Sequence, residues 1–244
     1  MTQHTYAPAY PHDPIKEIFP DIYWVQGSIR LGFGLRMNRN MVIIRQNHEL
    51  TLINAVRLTA QGLAQLDQLG RVKHLIRLGD FHGLDEQFYI DTYQAHLWSQ
   101  KHHATYPALV PNTLISTSTK PPIANAEFFI FESAQYPEAA LLIKPVKLLI
   151  TTDSIQYWKN WKYMSFLTKI ILLIMGFRLG LFIGGPWLKR VTPKGMSLQT
   201  DFERLLQFDF DALIAAHGTL LSSDAKTQLT HIVQQTFSPN KKVP

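Results

Sequence analysis

Three apolar runs, each ending on side chains that can do chemistry, constrain this chain more than any other feature. Val72–Leu78 runs into Gly79-Asp-Phe-His-Gly-Leu-Asp-Glu86, Val146–Thr152 delivers Asp153, and Phe210–Ala215 leads to His217-Gly218. Short aliphatic and β-branched runs bounded by turn residues read as strands. Polar residues gathered in the loop after a strand occupy the position where layered α/β proteins place their sites. Such a chain folds as a mixed α/β protein with metal-capable or acid-base side chains at three separate strand ends.

The remaining segments fit between these runs. Ile22–Val25, Met41–Arg45 and Leu50–Asn54 read as strands of an opening β-meander, separated by turn residues. Thr59 is a good N-cap for a helix carrying Leu63, Leu66 and Leu69 and stopped by Gly70. A helix is expected from Glu86 to Ala95, an irregular loop from Pro107 to Pro122, and strands at Glu127–Phe131 and Ala139–Ile143. Met196–Phe208 reads as an amphipathic helix, and a last helix runs from about Ser223 to Thr236. Residues 1–21, with four prolines, form an extended N-terminal arm; 22–237 make a single domain and 238–244 a tail. The arm lacks the basic start and apolar run of a signal peptide, so the expected location is cytoplasmic.

With 244 residues, 46% of them hydrophobic, the chain can bury a full core without cross-links. It has no cysteine, which excludes a disulfide scaffold, a thiolate metal site and a cysteine nucleophile. Any metal must be held by histidine and carboxylate. Lys and Arg number 24 against 18 Asp and Glu, a net charge of +6. The bases are scattered, which speaks against nucleic acid. They concentrate only at Lys159, Lys162 and Lys169, then at Lys189, Arg190 and Lys194, on either side of an apolar stretch, and this pattern fits an anionic surface or ligand. That stretch, an insert at about 157–190, is interrupted by Lys169 and Arg178 and weakened by Gly176, Gly180 and Gly184, so it is a poor membrane span. It is expected to be a helical wall beside the site. Its aromatic residues either extend the core or form an interfacial surface for peripheral membrane contact.

Taken singly, the candidate site residues have ordinary structural readings. Asp85 and Asp153 could cap helices, and His217 could be a turn residue before Gly218. His48, His74, His102, His103 and His231 do not fall at strand ends. No Gly-x-Ser-x-Gly elbow occurs, and Gly32-Phe-Gly34 lacks the third glycine of a dinucleotide loop. The order of the strand ends carries more information than any one residue.

That order resembles the metallo-β-lactamase-fold hydrolases. The resemblance spans roughly Ile22 to Thr236, and its sharpest pieces are Leu78-Gly-Asp-Phe-His-Gly-Leu-Asp85, Leu148-Leu-Ile-Thr-Thr-Asp153 and Leu213-Ile-Ala-Ala-His-Gly218. It implies a four-layer αββα sandwich with a metal site at one edge. The family's loop reads His-x-His-x-Asp-His, and a gapless overlay puts Asp80, His82, Leu84 and Asp85 on those four positions, so only His82 matches. Asp153 matches the family's bridging acid and His217 its last histidine. The intermediate histidine has no match, and Glu138, whose carboxylate could replace an imidazole, is the nearest placed polar residue.

The resemblance implies a hydrolase of an ester, lactone, thioester or similar bond in a small, apolar or anionic substrate, acting through a metal-activated water. His82, Asp85, Asp153, His217 and Glu138 are the implied ligand set, with Asp85 or Asp80 ligating or taking the proton. One or two divalent ions are implied: zinc, or the harder iron or manganese given so many oxygen donors. The rival reading is a non-catalytic protein of this fold with a degenerate, metal-free site, serving as a binding or membrane-associated scaffold. Substrate and oligomeric state are left open by the sequence.

Overall fold

The structure, a computed structural model, describes residues 5–101 and 109–238. His102 and His103, the start of the Pro107–Pro122 loop and nearly all of the tail lie outside the described residues. The first half of the chain runs through β1 (Lys16–Phe19), β2 (Ile22–Gly32), β3 (Leu35–Gln46), β4 (Glu49–Ile53), α1 (Ala60–Leu69), β5 (Arg71–Arg77), α2 (Glu86–Tyr93), β6 (His96–Ser99) and β7 (Thr113–Leu114). These seven strands form one sheet in sequence order, antiparallel from β1 to β4 and parallel from β4 to β7. The change of sense falls where α1 and then α2 make crossovers, since a parallel pair needs a long connection.

The second half contains β8 (Ala126–Ile130), β9 (Ala139–Ile143), β10 (Leu148–Thr151), β11 (Ile155–Trp158), α3 (Phe166–Ile174), β12 (Gly180–Ile183), α4 (Gly185–Val191), α5 (Gln199–Leu205), β13 (Ala212–Ala215) and α6 (Ala225–Thr236). A four-stranded sheet has the order β13-β10-β9-β8, with β10 and β13 parallel. β11 and β12 form a separate two-stranded ribbon.

Side-chain alternation builds four layers. Val42, Ile44, Ile53 and Ile76 of the first sheet meet Leu141, Ile143, Ile150 and Ile214 of the second. The opposite face of the first sheet, with Met41, Ile43, Leu52 and Leu75, packs on Leu66 of α1 and Phe88 and Tyr89 of α2. The outer face of the second, with Ala140, Leu142, Leu149 and Leu213, packs on Trp187, Phe202, Leu229 and Val233 of α4, α5 and α6. Both faces of β9, β10 and β13 are therefore buried, which is why those strands read as unbroken apolar runs. The order is helix, sheet, sheet, helix, the αββα sandwich.

Local signals account for several boundaries. The Thr59 hydroxyl accepts from Gly62 N–H and opens α1, and Gly70 closes it. Ser165 caps α3 by accepting from Thr168 N–H. The segment around 157–190 differs from the expected helical wall. Its first and last parts pair as the β11–β12 ribbon, with Ile155 opposite Ile183 and Trp158 opposite Gly180, and only α3 and α4 are helical. Gly176 and Gly180 adopt positive φ at +90° and +107°, which ends α3 and turns the chain back. Gly184 lies against the Asp153 carbonyl, where any Cβ would collide, so the ribbon returns directly to the site edge.

Candidate metal centre

Three strand ends meet at one edge of the sandwich. His82 follows β5 of the first sheet, whereas Asp153 follows β10 and His217 follows β13 of the second. His82 Nε2 lies 3.4 Å from Asp153 Oδ2, and His217 Nε2 lies 3.5 Å from Asp153 Oδ1. The two imidazole rings are 5.1 Å apart between centroids. One donor atom from each of these residues falls within 4.8 Å of the others, an arrangement in which two nitrogens and a carboxylate oxygen face a common point.

The backbone explains how His217 is held. Gly218 sits at φ +88° against the Tyr157 carbonyl, where a Cβ would collide, so the residue after His217 must be glycine. Gln26 Nε2 and Asn40 Nδ2 both donate to the Gly218 carbonyl, at 2.9 and 3.1 Å. His217 Nδ1 is 2.6 Å from the Asn38 carbonyl, which can only accept, so Nδ1 carries the proton and Nε2 presents its lone pair to the cluster. Burial pushes the His217 imidazole down to about 4, against the opposing pull of Asp153, and keeps it neutral as a ligand must be.

Asp153 is tuned the other way. Burial alone would raise its carboxyl, but the imidazoles of His82 and His217 outweigh burial and hold it below the usual carboxylate range. Behind it lies Glu138, 1% exposed, whose Oε1 accepts from Asp153 N–H at 3.2 Å and Ser154 N–H at 2.7 Å. Burial first, and then the Asp153 charge, push Glu138 up to about 8. Glu138 therefore fixes the turn that carries Asp153 and lies outside the three converging donors. Gly79 pairs with Glu138 in an antiparallel bridge, which ties the His82 loop to the same turn.

The two aspartates of the loop are also placed outside the three-donor cluster. Asp85 is buried and ion-paired to Arg39 Nη1 at 2.6 Å, while Arg39 Nη2 donates to the Ala55 carbonyl. It occupies the N-cap position of α2 without a side-chain capping bond, so its partner is the guanidinium rather than the helix. Asp80 lines a small cleft with Arg77, Gln100 and Lys101, and its N–H donates to the Pro137 carbonyl. Asp153 caps no helix, because β11 follows it.

Sequence reasoning missed Asn38 and Arg39. Their signal is legible in hindsight: Asn38-Arg39-Asn40 interrupts an apolar strand with three polar residues that are all buried. Buried polar groups in mid-strand require partners, and here the partners are His217, Gly218 and Asp85.

No protein-family model and no curated protein matches the chain. Solved structures do. The DIM-1 metallo-β-lactamase superposes with a TM-score of 0.60 at 6% identity, over 94% of this chain and 99% of its own. A metallo-β-lactamase from Pontibacter korlensis gives 0.59 at 12% identity, over 90% and 98%. FIM-1 from Pseudomonas aeruginosa, in its mono-zinc form, gives 0.59 at 9% identity, over 95% and 98%. With the layer order and near-complete coverage in agreement, this chain has the metallo-β-lactamase fold.

Proposed function

We propose that the protein is a metal-dependent hydrolase whose cation is held by His82, Asp153 and His217. The observation that carries this reading is the convergence of those three donors from three strand ends across both sheets. Two imidazoles and one carboxylate match the ligand chemistry of catalytic zinc and of ferrous iron alike. A single divalent ion fits this set, because Arg39 already neutralises the Asp85 carboxylate. When bound, such an ion acts as a Lewis acid on a carbonyl and makes water acidic enough to attack near neutral pH.

The chain's own groups do the remaining work. The Asn38 carbonyl fixes the His217 tautomer, so that Nε2 is always the free donor. Glu138 holds the Asp153 turn through two backbone N–H groups, which sets where the Asp153 oxygens point. Asp153 presents one oxygen toward each histidine, so its carboxylate lies between the two imidazoles. Gln156 and Trp158 on β11 extend from the Asp153 turn, with Trp158 Nε1 donating to Gln156 Oε1, so the ribbon forms one wall beside the site. The bond class that fits remains an ester, lactone or thioester.

A panel of aryl esters, thioesters and lactones, assayed with the protein reconstituted in zinc, manganese or ferrous iron, tests the reading. Hydrolysis of at least one class should fall by 100-fold or more in Asp153→Ala, in the range of losing one principal catalytic group. Hydrolysis that Asp153→Ala leaves unchanged contradicts it.

A further inference from the structure

Two stretches of the chain are rich in apolar and basic residues and contain no acid. Between Ser154 and Thr200 there is no Asp or Glu against seven Lys and Arg, and between Ile22 and His48 there are four Arg and again no acid. The structure brings these two stretches together. Ser165 N–H donates to the Arg36 carbonyl at 3.2 Å, and Arg36 N–H reaches the Ser165 and Thr168 hydroxyls at 3.2 Å each, so the start of α3 is docked on the β2–β3 hairpin near its tip. Met37 of β3 packs on the same small cluster, Trp158, Met164, Leu172 and Phe177, that anchors α3 from below.

What α3 leaves outside is unusual. Only Thr168 and Leu172 are buried, while Phe166, Leu167, Ile170, Ile171, Leu173 and Ile174 face outward. Phe166 is 79% and Ile174 81% exposed, and Phe33 at the hairpin tip is fully exposed beside the half-exposed Leu31. A contiguous apolar surface of this kind on a single chain marks an interaction site. Lys159 and Lys162 precede α3, Lys169 lies on it, Arg178 follows it and Arg30 lies on the hairpin; of these, Lys162 is ion-paired to Asp13 of the N-terminal arm.

We infer that α3 and the β2–β3 tip form a docking surface for an anionic lipid bilayer. The apolar residues spread over most of the circumference of a short helix rather than lining a groove, which suits immersion at the headgroup boundary. The basic rim suits the negative surface potential there. A second copy of the chain fits less well, because a two-fold interface would set this basic face against itself. No helix among the described residues is long and apolar enough to cross a membrane, so the contact is peripheral. The inference stands independently of the metal centre.

Co-sedimentation of the whole protein with phosphatidylcholine vesicles, and with vesicles containing phosphatidylglycerol, tests it. Binding is expected to the phosphatidylglycerol vesicles at low salt and to weaken at high salt as screening increases. Phe166→Asp/Ile174→Asp alters two exposed positions and should keep a native circular-dichroism spectrum while the bound fraction falls roughly tenfold or more. Lys169→Glu/Arg178→Glu should reduce binding to phosphatidylglycerol vesicles. Absence of binding to phosphatidylglycerol vesicles at low salt overturns the inference, as does undiminished binding by the Phe166→Asp/Ile174→Asp variant. Self-association through this face without vesicle binding also overturns it, and assigns the surface to a second copy.

Discussion

Glu138 and His217 are both buried at the site, and burial acts on them in opposite directions. A carboxyl taken from water keeps its proton, and an imidazole taken from water loses it. Glu138 is pushed up from 4.5 to about 8, so between those values the folded chain holds a proton that the unfolded chain has released. Its contribution to stability is present at low pH and is lost as pH rises through that window. His217 is pushed down from 6.5 to about 4, so its contribution grows as pH rises from 4 to 6.5. The two oppose each other between about 4.5 and 6.5, and above that Glu138 alone of the pair acts. The metal-free protein should therefore lose about 1–2 kcal/mol between pH 6.5 and 8, read from urea unfolding. Glu138→Gln, which keeps an oxygen for the Asp153 and Ser154 N–H groups, should flatten that fall. A fall of equal size in Glu138→Gln would show that another group titrates.

At the scale of elements, in the β11–α3–β12 unit the β11–β12 ribbon joins the main core through Ile155 and Ile183, while α3 rests on one small cluster. Trp158 is 1% exposed and packs with Met164, Leu172 and Phe177. Trp158→Ala should cost about 3–5 kcal/mol, as expected for truncating a fully buried aromatic residue. Ile174→Ala, at an exposed position of the same unit, should change stability by less than about 0.5 kcal/mol. Similar losses in both variants would mean that α3 is covered. This unit also marks where the sequence stopped being legible. Strand β9 matches its expected span because both faces are buried and the apolar run is unbroken. The region at 157–190 was expected to be helical, but the ribbon's pairing is set by Gly180 and by the approach of Gly184 to Asp153, and neither leaves a periodic trace. β2 and β3 extend well past Ile22–Val25 and Met41–Arg45 because polar residues such as Gln26, Asn38 and Asn40 are buried in the strands and bonded across them.

For the whole molecule, the two sheets contribute unequally to one edge, His82 from the first and Asp153 and His217 from the second. Those three were legible because each ends an apolar run. Asp85 was legible as a polar loop residue but not as the partner of Arg39, since the pairing crosses 46 positions and leaves no local pattern. Its burial with a guanidinium commits one carboxylate to Arg39, and the proposed reading assigns one ion to the remaining three donors. The most direct test is the metal content of the purified and reconstituted protein by mass spectrometry, together with the variants His82→Ala, Asp153→Ala and His217→Ala. One divalent ion per chain is expected in the unaltered protein, with loss of most of it in each variant and retention in Asp80→Ala, since removing one of three ligands typically leaves little affinity. A protein that takes up no metal from zinc, manganese or ferrous iron, or one that keeps its ion in Asp153→Ala, would contradict the account.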